Sequence, residues 1–401
     1  MSTATLQIEK KKTLVPQLRF QEFNGEWEEK KLGDIGKIKM CKRVFNHETI
    51  EKGEIPFYKI GTFGKVADAY ISKEHYDLFK EKFSFPKIGE ILLSAAGTLG
   101  RTVIYDGRPS YFQDSNIVWI ENNEKTTTNS FLYFVYQIVR YDSEGGTIQR
   151  LYNSIISNTK FNNPLLPEQQ KIASFLSSVD EKIQQLRRKK ELLVQYKKGT
   201  MQQLFSGKLR FKDENGEDYT DWEEKKLGDF CTFFSGGTPT STNPKYYSGT
   251  IPFIGSGNIY DSEVFSFISE VALNSSSAKI VDKGDLLYAL YGANSGELAI
   301  SKINGAINQA ILCIRNEECI EYLYYVLLLN KDNIVAKFLQ GGQGNLSAQI
   351  IKRLKYKFPC IEEQQKIADF LSNIDAKIEN VTGELGKTQL FKKGLLQQMF
   401  V

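Results

Sequence analysis

Histidine and cysteine are scarce in this sequence, and their scarcity narrows the chemistry available to it. Among 401 residues there are two histidines, His47 and His75, and five cysteines, which form no CxxC pair. A histidine-based metal site or acid–base relay is therefore poorly supported, and neither a zinc site nor a disulfide framework is expected. This use of cysteine is typical of reduced thiols in a cytoplasmic protein.

Long apolar runs and catalytic motifs are also missing. No stretch approaches 18 consecutive apolar residues, so we expect no transmembrane helix, and the first 20 residues lack the apolar segment of a secretory signal. There is no GxxxxGK[ST], GxSxG or HExxH motif, and GELGKT at 383–388 has the wrong spacing for a phosphate loop. The Asn-Pro-Pro or Asp-Pro-Pro motif of adenine methyltransferases is absent too. The sequence therefore predicts a non-catalytic binding scaffold.

Charge of either sign is not in excess. Lys and Arg number 52, Asp and Glu number 48, and the formal net charge is +4. Such a balance does not by itself indicate a nucleic-acid-binding protein, although it leaves room for locally basic faces. The hydrophobic share of 41% is that of a globular protein, and the length predicts two or three domains.

The sequence contains an internal repeat. WEEKKLGD stands at 27–34 and again at 222–229, and EQQKIASFLSSVDEKI at 168–183 is followed by EQQKIADFLSNIDAKI at 363–378. Both offsets are 195 residues. The segments between these motifs match poorly, which favours one scaffold that carries two different reading surfaces over the simple divergence of unselected loops.

Each repeat combines a β-rich part with helices. Short apolar runs bounded by Gly, Pro, Asn and Asp predict strands, and SFLYFVYQIVR (130–140) and CIEYLYYVLLLN (319–330) predict helices. After Pro167 and Pro359 the pattern changes to apolar residues with a period near 3.5, which predicts long helices that pair antiparallel with each other or with another subunit. Glu168, Glu362 and Glu363 are expected to favour the helix N-termini through the helix dipole. The periodic residues are Ile172, Leu176, Val179, Ile183, Leu186 and Leu193, then Ile367, Leu371, Ile374, Ile378, Val381 and Leu385.

The predicted fold class is α+β, with two β-rich globular domains joined and separated by two long antiparallel coiled-coil helices in a pseudo-twofold repeat. The predicted boundaries are an N-terminal lead (1–25), a first globular domain (26–165), a first spacer helix (166–207), a second globular domain (208–358) and a second spacer helix (359–401). The two tryptophans of the WEEKKLGD motif, Trp27 and Trp222, are interpreted as structural anchors; a contact to a partner subunit is the alternative.

The organisation resembles the specificity subunit of type I restriction–modification enzymes, the HsdS family. The resemblance covers essentially the whole chain and is carried by the helix opening that occurs twice, by GGTPTSTNPKYYSGTIPFI (236–254) and by GGQGNLSAQIIKRLKYKFPCIEEQ (341–364). The first repeat departs from the last two patterns, because it has no GGTP and its corresponding second segment reads GGTIQRLYNSIISNTKFNNPLLPEQQ.

The resemblance implies a function and its partners. Each globular domain would be a target-recognition domain that reads one half of a bipartite, asymmetric site in double-stranded DNA. The helices would set the gap and dock two modification subunits, which bind S-adenosylmethionine and methylate adenine at N6. Motor–nuclease restriction subunits, with ATP and Mg, would complete a complex for defence against foreign DNA. No cofactor, metal or membrane association is expected for this chain.

Polar residues in the variable loops are the candidates for DNA contact, because Arg, Lys, Asn and Gln read base edges and Ser, Thr and Lys bind phosphates. For any one of them a role in a turn is the more ordinary explanation, and the sets are the prediction. The first repeat contributes Lys42, Arg43, Lys59, Thr62, Lys65, Thr98, Arg101, Gln113 and Asn116. The second contributes Thr238, Thr240, Lys245, Tyr246, Ser256, Asn258, Tyr291, Asn294, Ser295, Asn308, Gln309, Gln343 and Asn345.

Two other functions stay open from the residues alone. One is a two-domain coiled-coil adaptor that binds proteins and not DNA, which the small net charge favours slightly. The other is a self-contained DNA-modifying enzyme, which the missing catalytic motifs oppose. Methylation mapped with and without modification subunits would separate all three.

Overall fold

A computed structural model describes residues 14–141, 150–339 and 345–401. The chain forms two compact units: unit 1 contains Met1–Arg187 and Glu384–Val401, and unit 2 contains Arg188–Gly383. Both boundaries lie inside long helices, so each unit contains a part of each long helix.

Within its described residues, unit 1 begins with nine short strands and four short α-helices. The strands are β1 (Glu28–Lys31), β2 (Gly36–Met40), β3 (Ile55–Tyr58), β4 (Tyr70–Ile71), β5 (Ile91–Ser94), β6 (Thr102–Ile104), β7 (Tyr111–Phe112), β8 (Ile117–Asn122) and β9 (Lys160–Asn163). The helices are α1 (Leu32–Ile35), α2 (Lys73–Lys82), α3 (Asn129–Ile138) and α4 (Asn153–Asn158). The long helix α5 (Leu166–Phe205) follows and continues into unit 2.

Unit 2 repeats this order. Its strands are β10 (Glu223–Lys226), β11 (Thr232–Ser235), β12 (Ile251–Ile254), β13 (Phe267–Ile268), β14 (Lys279–Val281), β15 (Leu286–Ala289), β16 (Leu298–Ile300), β17 (Gly305–Ile307), β18 (Ile311–Arg315) and β19 (Lys355–Phe358). Its helices are α6 (Leu227–Phe230), α7 (Glu270–Ser275), α8 (Ile320–Leu339), α9 (Ala348–Arg353) and the first part of the long helix α10 (Ile361–Gln398).

The sheets of the two units share one topology, except that the smaller sheet of unit 2 has an additional edge strand, β14. Antiparallel sheets in the order β2-β8-β5-β6 and β11-β18-β15-β16 are accompanied by smaller sheets in the order β4-β3-β7 and β13-β12-β17-β14. In each smaller sheet one strand pair, β3 with β7 or β12 with β17, is parallel. The repeated EEKK segments form β1 and β10, which pair antiparallel with β9 and β19 just before the long helices. The α+β fold class predicted from the sequence is confirmed.

The periodic apolar residues of each long helix form its seam. These seams are buried, and they contact more than a partner helix. In unit 1, Leu176 and Ile183 of α5 belong to one core with Phe131 and Val135 of α3 and with Leu395 of α10. In unit 2, the end of α5 at Leu204 and the start of α10 at Leu371 join a core with residues of α8. The opposite ends of α5 and α10 therefore meet within each unit, as expected for an antiparallel pair, while the same seams also cover the globular domains.

A buried glutamate fixes the start of each long helix. Glu168 accepts hydrogen bonds from Arg19 Nε and Nη2, both at 2.8 Å, and from Trp27 Nε1 at 3.3 Å. In unit 2, Glu363 accepts the matching bonds from Arg210 and Trp222. The predicted first-turn position of Glu168 and Glu363 is correct. Both glutamates are buried, with exposed fractions of 2% and 0%, and their carboxylates bond to arginine and tryptophan side chains.

The arginines of these clusters belong to a repeated LRF tripeptide, Leu18–Phe20 and Leu209–Phe211, which was not recognised from the sequence. Its offset is 191 residues rather than 195. The Leu18 amide donates to the Gln398 carbonyl at 2.9 Å, and the Leu209 amide donates to the Gln203 carbonyl at 3.1 Å. The segment before Trp27 therefore contacts the end of α10. The equivalent segment before Trp222 contacts the end of α5 in the same way.

One helix is longer than predicted. The pattern at 319–330 predicts a helix that ends at the polar Asn330-Lys331-Asp332 segment, whereas α8 continues to Leu339. Ile334 is buried beyond this segment, so the polar residues occupy the exposed side of a continuing amphipathic helix. No helix in the described ranges has the length and apolar character needed to span a membrane.

Candidate nucleic-acid interface

Three loops of unit 1 converge at one end of the smaller sheet. Tyr58 and Phe112 are register partners at the ends of the parallel strands β3 and β7, so the loops 59–65 and 113–116 leave the sheet side by side. Gln113 joins them: its Oε1 accepts from the Ile60 amide, and its own amide donates to the Tyr58 carbonyl, each at 2.9 Å.

The third loop, 94–101, follows β5. Ser94 Oγ closes it by donating to the Thr98 carbonyl at 2.6 Å and accepting from the Arg101 amide at 2.8 Å. Arg101 Nη1 then donates to the Phe63 carbonyl at 2.9 Å, which connects this loop to the loop 59–65. Loops 59–65, 94–101 and 113–116 are called loop set 1.

An ion pair and a strained residue shape the edge of loop set 1. Arg43 Nε lies 3.0 Å from Asp114 Oδ2, so Arg43 joins the predicted cluster. Ser115 has a φ of 54°, a left-handed conformation that is uncommon outside glycine. Its carbonyl accepts a hydrogen bond from Arg150 Nη2 at 3.3 Å, and Arg150 is a residue that the sequence reasoning missed.

Unit 2 gathers its loops in the same way. Ile254 and Ile307 are parallel register partners, and the chain continues from them into Gly255 and Asn308. The side chains of Asn258 and Asn308 lie next to Gly255: a Cβ atom added to this glycine would be 3.6 Å from Asn258 Oδ1 and 3.8 Å from Asn308 Nδ2. A Cβ atom added to Gly257 would be 3.7 Å from Asn294 Nδ2. Three predicted asparagines therefore meet around one turn. Loops 255–261, 290–297 and 308–310 are called loop set 2.

An acidic residue lies within loop set 2. Glu297 accepts hydrogen bonds from Lys331 on α8 and from the Tyr260 hydroxyl. These bonds hold the pKa of Glu297 below its usual value, so the carboxylate stays charged and its charge is balanced by Lys331. The network fixes the 255–261 loop against α8.

Several of the predicted contact residues have structural partners. Thr62, Ser295 and Asn308 hydrogen-bond backbone atoms of their own loops, and Gln113 bonds the backbone of the neighbouring loop at Ile60. Lys59 pairs with Asp68, Asn258 bonds Asp261, and Thr238 bonds Gln309. Lys42 lies over the Phe83 ring, and Tyr291 packs half-buried against the core. Tyr246 lies beside α7, because its carbonyl accepts from the Ser269 amide, and Lys245 precedes it on the same short 3-10 helix. Asn116 and Ser256 are half-buried at their loop ends.

The remaining predicted residues lie at the surface, where Gln309 also bonds Thr238. The side chains of Lys65, Thr98, Thr240, Gln309 and Asn345 are exposed, as are those of Lys245 and Asn258. Gln343 lies outside the described residues. A surface of amide, hydroxyl and ammonium groups offers hydrogen bonds to base edges and phosphates.

In the part of the chain that the structure describes, no cluster of three His, Cys, Asp or Glu side chains is arranged to hold a metal ion. Burial raises the pKa of the Cys41 and Cys231 thiols to about 12, which disfavours the nucleophilic thiolate.

Comparison with known proteins identifies the family. The profile of the type I restriction modification DNA specificity domain matches residues 24–194 and 219–387, once in each repeat and over most of the chain. The chain belongs to the type I specificity subunit family. The family assignment made from the helix openings and loop segments is therefore confirmed.

Relatives in this specificity subunit family match the chain to different extents. A putative type I restriction enzyme specificity subunit of Haemophilus influenzae, S.HindORF215P, is 55% identical over 150 residues, which are 37% of this chain and 39% of that protein. The putative MjaX specificity subunit of Methanocaldococcus jannaschii is 26% identical over 414 aligned positions, covering 94% of this chain and 93% of that protein.

Solved structures share the specificity subunit fold. The S subunit of a type I restriction–modification system from M. genitalium superposes with a TM-score of 0.65 at 17% identity, covering 96% of this chain and 99% of that one. A chain from a structure describing assembly and conformational transition of the type I system gives a TM-score of 0.51 at 15% identity, covering 93% of this chain and 96% of that one.

Proposed function

We propose that this specificity subunit gives a type I restriction–modification complex its DNA sequence specificity, without catalysing a reaction itself. Each unit reads one half of a bipartite, asymmetric site. The observation that carries the proposal is that loop sets 1 and 2 occupy equivalent sheet ends but present different side chains, with Lys65 and Thr98 exposed in loop set 1 and Asn258 and Gln309 exposed in loop set 2. Equivalent positions with different donors and acceptors suit two different half-sites.

The long helices are proposed to serve as spacer and docking surface. A helix of 40 residues such as α5 has a length of about 60 Å, which is close to two turns of B-DNA. Two modification subunits would dock on the helical region and carry S-adenosylmethionine. Restriction subunits would bring ATP and Mg. Because the partner subunits would supply most of the positive charge that binds DNA phosphates, this chain can contribute to DNA binding with a net charge of only +4.

Co-expression with candidate modification subunits tests the proposal. Methylated adenines are mapped across the genome of a host that lacks related systems, with the chain alone and the modification subunits alone as controls. The expected result is a motif of two unlike halves with a fixed gap, seen only when all components are present. Methylation by the chain alone would support an enzyme, and active modification subunits that ignore the chain would support an adaptor.

A further inference from the structure

Two buried leucines place the residues before them at equivalent points of the two units. The Leu151 amide donates to the Ala95 carbonyl at 2.8 Å, and the Leu346 amide donates to the Leu290 carbonyl at 3.0 Å. Both leucines have an exposed fraction of 2%. Donors and acceptors are each 195 residues apart in the sequence, so Arg150 and Asn345 occupy the same place in the repeat.

Both side chains are exposed at the loop sets. Arg150 forms an isolated antiparallel bridge with Ala96, at the start of loop 94–101, and its Nη2 reaches the Ser115 carbonyl of loop 113–116. The neighbouring carboxylate of Asp114 is already paired with Arg43, so it does not neutralise Arg150. The guanidinium has five N–H donors, and among the described residues it uses one of its nitrogens for the bond to Ser115, so it can offer the others to a ligand.

The more obvious base readers are occupied. Gln113 and Asn308 follow the parallel strands directly, but the side-chain oxygen of each already accepts a backbone N–H, from Ile60 and Ala310. Reading adenine with an amide side chain requires its oxygen and its nitrogen together, and this requirement disfavours amides whose oxygen closes a turn. Among the described residues neither the Arg150 nor the Asn345 side chain closes a turn in this way. The backbone bonds of Leu151 and Leu346 hold both residues beside the loop sets.

We infer that Arg150 and Asn345 are specificity-determining residues, with Arg150 reading a guanine and Asn345 an adenine in the two half-sites. The inference rests on the proposed function. Arginine pairs with guanine O6 and N7 through two hydrogen bonds, and asparagine pairs with adenine N6 and N7 in the same manner. One position of the scaffold would thus contribute a different base to each half of the site.

The test uses the complex with modification subunits and three variants: Arg150→Asn, Arg150→Lys and Asn345→Arg. Methylated motifs are mapped for each. Arg150→Asn is expected to lower the preference for one guanine about ten- to a hundredfold and to move it towards adenine, with the other half-site unchanged. Arg150→Lys should retain methylation but weaken the preference for guanine at that position, because lysine keeps the positive charge but lacks the paired N–H donors of the guanidinium. Asn345→Arg should change one adenine position in the opposite half-site.

Other outcomes would overturn the inference. A motif that stays unchanged in Arg150→Asn rules out base reading by Arg150, and an equal weakening at all positions indicates a phosphate contact instead. The unfolding midpoint of each variant is measured alongside and is expected to match the parent, because both side chains are exposed. If the parent complex yields no bipartite motif, the proposed function itself has failed.

Discussion

Lys197 Nζ lies 2.6 Å from Asp375 Oδ1, and Lys392 Nζ lies 2.7 Å from Asp180 Oδ1. The two lysines are 195 residues apart, and so are the two aspartates. Each unit therefore has one such lysine–aspartate pair between its parts of α5 and α10. In unit 2 the lysine belongs to α5, and in unit 1 it belongs to α10. These pairs fix the antiparallel register within each unit.

The aspartate of the unit 2 pair accepts one additional hydrogen bond, whereas in unit 1 the additional bond runs from Lys392 to Gln137, so the two aspartates should differ in their contribution. The Tyr325 hydroxyl donates to Asp375 Oδ2 at 2.8 Å. Asp375→Asn should therefore destabilise unit 2 by about 1–2 kcal/mol, since a half-buried lysine and a hydroxyl lose their charged acceptor. Asp180→Asn should cost less in unit 1, and denaturant unfolding of both variants measures the difference. Equal losses would show that the tyrosine bond contributes nothing.

The glutamates at the helix starts should be much less tolerant of substitution. Glu168→Gln or Glu363→Gln leaves a paired arginine without its charged partner, and we expect a cost of about 3 kcal/mol in unfolding free energy. Glu362→Gln is the matched control, because Glu362 is exposed in the same helical turn and should cost under about 0.5 kcal/mol. Similar losses for Glu362 and Glu363 would mean that the helix dipole is the main partner.

Two repeat-equivalent acids should respond to pH in opposite ways. Burial raises the pKa of Glu90 above its usual 4.5, with one carboxylate oxygen lacking a hydrogen-bond partner among the described residues. Burial alone would also raise the pKa of Asp285, but hydrogen bonds from Arg315 lower it below its usual 3.8. Glu90 thus stabilises the fold below about pH 4.5 and loses that contribution as pH rises, whereas Asp285 contributes above about pH 3.8 and loses its contribution as pH falls.

Unfolding of Glu90→Gln and Asp285→Asn across pH 3 to 8 checks these directions. Glu90→Gln should be more stable than the parent at neutral pH, with the advantage fading as the solution is acidified. Asp285→Asn should be less stable at neutral pH, and its deficit should shrink below about pH 3.8. The same sign for both variants at neutral pH would contradict the assignment.

How far the sequence predicts this molecule depends on the range of each interaction. The strands and long helices follow local apolar periods, and the repeat places them, so the architecture was predictable. The interface depends on contacts between distant residues, such as Gln113 with Ile60 and Arg101 with Phe63. Periodicity does not report such contacts, so the bond from Ile60 to Gln113 and the position of Arg150 beside Ser115 were not predicted, although Arg150 is the repeat equivalent of Asn345.

The asparagines of loop set 2 should affect one half-site only. Asn294→Ala combined with Asn308→Ala is expected to weaken or relax recognition by unit 2, because these side chains meet at one turn of that unit. Gln113→Ala is the matched variant in unit 1 and should affect the other half. Motif mapping in the complex provides the measurement, and equal loss at both halves would indicate general destabilisation.

The spacer role predicts a change of gap. Deleting residues 188–191 together with their repeat equivalents 383–386 shortens both long helices by about 6 Å, which corresponds to between one and two base pairs at about 3.4 Å each. The matched deletion retains both lysine–aspartate pairs. The mapped gap should shorten by that amount while both half-sites keep their sequences, and an unchanged gap would reject the spacer role.

The core of unit 1 also has a consequence for the order in which the chain folds during synthesis. Leu395, Met399 and Phe400 fill that core beside Trp27 and Phe131, whereas all of unit 2 lies between residues 188 and 383. Although most of unit 1 is translated before unit 2, its core is not filled until residues 395–400 have been synthesised and have left the ribosome. Unit 2 is thus complete first, and a nascent chain interrupted near residue 390 would hold one finished domain and one with its apolar interior exposed.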